Sequence, residues 1–226
     1  MVSCWDFCKI FYKLEVFIKS LRVFKESYLN SLTCKVSVMV ETVSSKADQL
    51  LKEIADIAVV EFLPIIGPTR GKVLGETVKN AMPKKILEIG TFMGYSTILM
   101  GRELSKDSQI ITIEEHLVEA EVAKDNIAQS EIAVNVKVIN GDAIEVIPTL
   151  SDFFDFVFID AAKEEYFQYF KLLEGKLEKG AVIVADNAGK FATEMKDYLE
   201  YVRTSGKYQS RYVSIADDGL EISIKI

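Results

Sequence analysis

The most informative stretch of this sequence is Lys84-Lys85-Ile86-Leu87-Glu88-Ile89-Gly90-Thr91-Phe92-Met93-Gly94-Tyr95-Ser96. Its apolar run from Ile86 to Ile89 predicts a short strand that is buried on both faces. Gly90 and Gly94 bracket a turn, and Ser96 is predicted to cap the helix that follows. A strand that passes through a glycine turn into a helix start brings bare backbone close to a nucleotide-like ligand.

The glycine spacing differs from the G-x-G-x-x-G fingerprint of dinucleotide-binding proteins. Here Glu88 precedes the first glycine, and the turn holds only Gly90 and Gly94. A carboxylate at a strand end repels phosphate but accepts hydrogen bonds from an ammonium group or a ribose. This favours a nucleoside ligand without phosphate, of which S-adenosylmethionine is the common example. An ordinary strand-to-helix turn that needs two glycines is the alternative.

Length and composition restrict the class of protein. A chain of 226 residues with 49% hydrophobic and 27% charged residues is typical of one folded domain with an extension. The formal net charge of −7 argues against a broad nucleic-acid-binding face, although one RNA held by a local basic patch stays open. No uncharged apolar run approaches about 18 residues, so no transmembrane helix is predicted.

The cysteine and histidine content removes several classes of catalyst. The cysteines are Cys4, Cys8 and Cys34, which indicates reduced thiols and, without a signal-peptide pattern, a cytoplasmic protein. His116 is the only histidine in the sequence, which excludes Ser-His-Asp and Cys-His catalysis and most zinc hydrolase schemes.

Residues 1–38 are predicted to form an amphipathic helical extension, and residues 39–226 the functional domain. Apolar side chains recur every three or four residues over 5–30, and the extension holds six basic and three acidic side chains. Such a helix packs on the body or a second subunit, or lies on a membrane surface. Translation from Met39 is a further alternative.

Strands and helices alternate from residue 84 onward, after two predicted helices over 44–62 and up to residue 81. The predicted strands are 86–89, 110–114, 134–140, 153–160, 181–186, 208–215 and 220–226. This order predicts an α/β fold with a doubly wound, mostly parallel, seven-stranded sheet. The last two strands flank Asp217-Asp218-Gly219 and are expected to form an antiparallel hairpin at the edge.

Polar side chains stand at the predicted carboxyl ends of these strands, where open α/β sheets bind ligands. Clustered carboxylates repel one another, so they indicate a cation or a donor-rich ligand. Glu114 is placed to accept both hydroxyls of a ribose, and Asp142 to accept from an adenine amino group or to cap a helix. The residues at these predicted strand ends are Glu88 with Gly90, Glu114, Asp142, Asp160, and Asp186 with Asn187.

Asp160, Asp186 and Asn187 offer the hard oxygen atoms that suit Mg²⁺. Lys163 follows Asp160 closely, and a lysine beside a divalent cation has a depressed pKa and can serve as a general base. The alternatives are a helix cap, a surface lysine and a turn.

Taken together, these motifs resemble the cation-dependent O-methyltransferases of the catechol and caffeoyl-CoA type over residues 44–226. The resemblance implies a Rossmann-like class I methyltransferase fold. It also implies S-adenosylmethionine and Mg²⁺ or another divalent cation as cofactors, and a small hydroxylated acceptor, most simply a vicinal dihydroxy aromatic. The motifs are residues 87–96, 113–114, 140–143, 158–163, 185–187 and 218–220.

The same resemblance implies the role of each site residue. Lys163 would be the catalytic base, and Asp160, Asp186 and Asn187 would bind the metal. The cofactor would be bound by Ile66, Glu88, Gly90, Gly94, Tyr95, Ser96, Glu114, Asp142, Ala143 and Asp160.

The sequence departs from the animal catechol enzymes at the acceptor side. Ala162 replaces an aromatic residue before the lysine, and Tyr212 stands where a glutamate holds the second hydroxyl. A modified nucleoside hydroxyl in transfer RNA is therefore an alternative acceptor, and a non-catalytic cofactor-binding module is a further alternative. The resemblance leaves a homodimer open.

Overall fold

The structure, a computed structural model, describes residues 44–226. The predicted helix over 5–30 and the rest of the extension lie outside the described residues. Across the part of the chain that is described, no helix combines the length and apolarity needed to cross a membrane.

The elements alternate as the sequence predicts. The helices are α1 (Lys46–Glu61), α2 (Gly67–Ala81), α3 (Tyr95–Gly101), α4 (Leu117–Ser130), α5 (Ala143–Thr149), α6 (Tyr166–Leu173) and α7 (Lys196–Thr204). The strands are β1 (Lys85–Ile89), β2 (Gln109–Glu114), β3 (Asn135–Asn140), β4 (Phe154–Ile159), β5 (Leu177–Ala185), β6 (Tyr208–Ile215) and β7 (Asp218–Lys225). Short 3₁₀ turns at Lys163–Glu165 and Glu174–Lys176 flank α6.

The seven strands form one sheet in the order β3-β2-β1-β4-β5-β7-β6. Strands β1 to β5 pair in parallel, and β7 runs antiparallel to both β5 and β6. The predicted mostly parallel sheet with an antiparallel edge hairpin is confirmed. Strand order reverses between β1 and β4, and such a reversal opens a crevice for ligands at the carboxyl ends of the strands.

Both faces of the sheet are covered by helices because neighbouring strand residues point to opposite sides. Ile86 and Ile110 pack on one face with α1, α2 and α3. Leu87 and Val157 pack on the other face with α5, α6 and α7. Fully burying a side chain of this size contributes about 1.5–3 kcal/mol, so these two layers fix the strand ends that carry the site.

The helix after the glycine turn begins differently from the prediction. Gly94 adopts φ 80° as the residue that precedes α3, and no side chain caps this helix. Ser96 lies inside α3, and its hydroxyl instead donates to the carboxylate of Glu88. The predicted capping role of Ser96 is therefore wrong, because a left-handed glycine starts the helix.

Boundaries near the C-terminal end also differ. The sequence pattern also predicts helices over 164–177 and 191–205. Strand β5 begins at Leu177, the last residue of the first of these, and α7 begins at Lys196, five residues later than the second was predicted to start. Ile215 pairs with Asp218, so the hairpin turn consists of Ala216 and Asp217. Asp218 is thus the first residue of β7 rather than part of the turn, and it is buried.

Candidate functional site

The carboxyl ends of the central strands meet at one cavity of about 540 Å³. Backbone pairing continues beyond the strands, since the Asp160 N–H donates to the Ile89 carbonyl (2.9 Å) and the Asp186 N–H to the Ile159 carbonyl (3.0 Å). All predicted site residues except Glu88 and Gly94 line this cavity. They are Ile66, Gly90, Tyr95, Ser96, Glu114, Asp142, Ala143, Asp160, Lys163, Asp186 and Asn187.

Gly90 allows the turn after β1 to approach the end of β4. Its φ is 94°, and a Cβ built there would lie 2.1 Å from the Asp160 carbonyl oxygen. Both the backbone conformation and the contact therefore require glycine at this position.

Glu88 is fully buried behind the cavity wall rather than on it. Ser96 Oγ donates to one carboxylate oxygen at 2.5 Å, and Thr97 Oγ1 donates to the other. Burial, together with the charge of Asp160, raises the pKa of Glu88 to about 7, although the hydroxyl groups that donate to it act in the opposite direction. In this arrangement Glu88 holds the start of α3, and its predicted contact with the methionine end of a cofactor stays a prediction.

Replacing Glu88 by Gln is expected to make stability less dependent on pH. A raised pKa in the folded state means that ionisation of Glu88 removes stability as pH rises from about 4.5 to about 7. Urea unfolding should show that the free energy of unfolding of Glu88→Gln rises relative to that of the wild type across this pH window. The difference should reach about 1–3 kcal/mol above pH 7. Glu53→Gln, at an exposed position of α1, is the matched control. A stability difference that does not change with pH would contradict the buried titration.

Glu114 is held rigidly at the end of β2. Its carboxylate accepts backbone N–H groups from Phe92 (2.7 Å) and His116 (3.0 Å), and the residue is only 7% exposed. These bonds join the glycine turn to the start of α4. After the neighbouring strand β3, Asp142 accepts a hydrogen bond from the Ile144 N–H at 2.7 Å and so caps α5, as the sequence allowed.

Lys163 lines the same cavity and is held by two oxygen atoms. Its Nζ lies 2.7 Å from Asp160 Oδ1 and 3.1 Å from the Tyr166 hydroxyl. Tyr166 is fully buried, and its hydroxyl donates to the Ile159 carbonyl at 3.0 Å. Sequence reasoning missed Tyr166, although its position one helical turn after Lys163 was a usable signal.

Among residues 44–226, Asp186 is a buried carboxylate without a hydrogen-bond partner. It is 1% exposed, neither of its oxygens accepts a hydrogen bond from these described residues, and the cation recorded beside it is Arg70 Nη1, at 3.4 Å from Oδ1. Burial and the neighbouring charge of Asp160 raise its pKa to about 8. Burying an unpaired charge is costly, so these oxygens are suited to a ligand that brings positive charge.

The donor set fits a hard divalent cation. Asn187 adopts φ 62°, and its Nδ2 donates a hydrogen bond to Asp218 Oδ2 at 2.7 Å. The amide oxygen is then the side-chain atom of Asn187 that is left to bind a metal ion. Within residues 44–226 no three His, Cys, Asp or Glu side chains cluster as a metal site. Asp160, Asp186 and Asn187 line the same cavity, and together they would offer Mg²⁺ two carboxylates and an amide oxygen.

A family model described as O-methyltransferase matches residues 41–206. The chain belongs to the O-methyltransferase family. This confirms the resemblance that the motifs indicate.

Two curated relatives of this chain support the same family. It is 37% identical over 177 residues to catechol O-methyltransferase B of Danio rerio, covering 73% of this chain and 66% of that protein. It is 39% identical over 126 residues to catechol O-methyltransferase of Niastella koreensis, covering 54% and 57%. The chain thus spans less than two thirds of the length of either relative.

A solved structure supports the fold. The O-methyltransferase from Bacillus cereus, determined in complex with SAH, superimposes with a TM-score of 0.71 at 25% identity. The superposition covers 82% of this chain and 94% of the Bacillus cereus chain.

Proposed function

We propose that this O-methyltransferase uses S-adenosylmethionine and a divalent cation to methylate a hydroxyl of a small vicinal dihydroxy aromatic acceptor. The observation that carries this proposal is Asp186, a buried carboxylate without a hydrogen-bond partner, in the same cavity as Asp160 and Lys163. The catechol O-methyltransferases among the relatives support the acceptor class.

The cofactor would lie along the cavity from Glu114 toward Asp160. Glu114 would accept the ribose hydroxyls, because its carboxylate is fixed at a strand end as in other nucleoside sites. Asp142 and Ala143 would meet the adenine end, and Tyr95 the methionine end, together with Ile66, Gly90 and Ser96. The SAH bound to the Bacillus cereus protein supports this class of cofactor.

Lys163 would remove the proton from the acceptor hydroxyl at Nζ. S-adenosylmethionine would supply the methyl group to the deprotonated acceptor oxygen, and the electron pair of the broken carbon–sulfur bond would stay on the sulfur of S-adenosylhomocysteine. A divalent cation, when bound, lowers the pKa of a hydroxyl that it contacts. Asp160 and Tyr166 keep the amine in place, so part of the acceleration would come from positioning.

Tyr212 stands where the resemblance implies a glutamate that holds the second hydroxyl of the acceptor. The Tyr212 hydroxyl donates to the Asp218 carbonyl at 2.8 Å, and a Cβ on Gly189 would lie 2.2 Å from this hydroxyl. The Tyr212 side chain therefore lies against the loop after Asn187, and its hydroxyl proton is used in the hydrogen bond to the Asp218 carbonyl. This supports an acceptor whose second hydroxyl is not recognised by a carboxylate at this position.

The proposed function is tested by a panel of catechols, caffeoyl esters and transfer RNA with labelled S-adenosylmethionine, with and without EDTA. We expect transfer to a small dihydroxy aromatic, loss with EDTA and recovery with excess Mg²⁺. Transfer that EDTA does not affect would overturn the role of the cation, and transfer to RNA alone would overturn the acceptor class.

A further inference from the structure

Asp218 is a second buried carboxylate close to the proposed cation site, but its oxygens are fully used. It is 5% exposed and begins β7. Oδ1 accepts the backbone N–H groups of Gly189 (3.1 Å) and Lys190 (2.8 Å). Oδ2 accepts from Asn187 Nδ2 (2.7 Å) and Arg70 Nη1 (2.6 Å). A carboxylate with four donors has no oxygen left for a metal ion.

The bond from Asn187 sets which end of its amide group is free. Because the nitrogen donates to Asp218, the oxygen is the atom left for a ligand. The Gly189 and Lys190 bonds hold the backbone that follows Asn187, whose own φ of 62° is uncommon outside glycine. The Asp218 side chain thus fixes both the Asn187 amide group and the backbone that follows it.

Arg70 is shared between Asp218 and Asp186. Its Nη1 lies 2.6 Å from Asp218 Oδ2 but 3.4 Å from Asp186 Oδ1, and the side chain is 20% exposed. Without the carboxylate of Asp218, the guanidinium would be free to close on Asp186. It would then occupy oxygens that a cation needs.

We propose that Asp218 is a positioning residue of the cation site, which presents the Asn187 amide oxygen and holds Arg70 back from Asp186. This inference rests on the proposed function, since it presupposes the cation. Positioning partners of this kind typically change metal affinity by about 10–100-fold when they are replaced.

The test is Mn²⁺ binding to the metal-free protein, measured by the electron paramagnetic resonance signal of free Mn²⁺. Asp218→Asn removes the charge at nearly constant size and should weaken binding by about 10–100-fold. Asp217→Asn makes the same chemical change at the neighbouring exposed turn residue and should bind like the wild type. Adding Arg70→Gln to Asp218→Asn should recover part of the affinity, because the guanidinium that closes on Asp186 is gone.

Circular dichroism and the unfolding midpoint of each metal-free variant separate positioning from folding. Where Asp218→Asn does not fold, Asp218→Glu keeps the charge, displaces the carboxylate and should weaken Mn²⁺ binding in the same way. A folded variant that binds Mn²⁺ as tightly as the wild type overturns the role of Asp218 and leaves the cation site standing. A wild type that binds no Mn²⁺ overturns the proposed cation site and this inference together.

Discussion

Replacing Lys163 by Ala is expected to lower kcat for methyl transfer by about 10²–10⁴-fold, the usual contribution of a positioned general base. The affinity for S-adenosylhomocysteine should stay close to that of the wild type, because Nζ contacts Asp160 and Tyr166 rather than the proposed ribose contact Glu114. Mn²⁺ should bind at least as tightly as to the wild type, because Asp160 loses the amine that competes with the cation. Initial rates with the acceptor found in the panel measure the first effect, and calorimetric titrations measure the other two.

Lys171→Ala is the matched control, since this exposed lysine lies on α6 and pairs with Glu174. It should leave kcat unchanged. Full activity in Lys163→Ala would remove the base assignment. If S-adenosylhomocysteine binding fell together with kcat, Lys163 would be acting through the structure of the cavity instead.

The sheet was predictable because its strands are short apolar runs separated by helical periodicity. A run such as Leu87-Glu88-Ile89 is buried on both faces, a pattern typical of a central parallel strand. The hairpin turn was misplaced for a tertiary reason. The local signal at Asp217-Asp218-Gly219 favours a turn, but Asp218 is drawn inward by Arg70 and Asn187, which are 148 and 31 residues away in sequence.

The cavity wall was predictable from the rule that ligands bind at the carboxyl ends of parallel strands. Its supporting contacts were not, because they join segments that are distant in sequence. Arg70 reaches two carboxylates from α2, and Asn187 reaches Asp218 at the start of β7. Sequence spacing shows which groups end a strand, but it does not show which of them are already neutralised.

The acids of this region are compensated unequally. Glu88 receives two hydroxyl groups, and Asp160 receives the amine of Lys163. Asp218 receives Arg70 at 2.6 Å, whereas Asp186 has only the same guanidinium at 3.4 Å and no hydrogen bond. Asp186 is therefore where a missing positive charge has the largest effect, and its replacement should separate function from stability.

Asp186→Asn is expected to reduce methyl transfer by at least about 100-fold, since a cation contributes several kcal/mol to the transition state and each 1.4 kcal/mol is tenfold. The metal-free variant should nevertheless be more stable than the metal-free wild type at alkaline pH. The folded-state pKa of Asp186 is raised to about 8, so its ionisation removes stability as pH rises from about 4 to about 8. The amide carries no charge and escapes this loss.

Thermal unfolding from pH 5 to 9 checks the stability effect, with Asp125→Asn at an exposed position of α4 as the control. Saturating Mg²⁺ should raise the wild-type midpoint and hardly change that of Asp186→Asn, because a ligand stabilises only the form that binds it. Lower activity together with higher metal-free stability cannot arise from misfolding. An equal response of both proteins to Mg²⁺ would place the cation elsewhere, and a variant less stable at pH 8 would show that Asp186 is paired in solution.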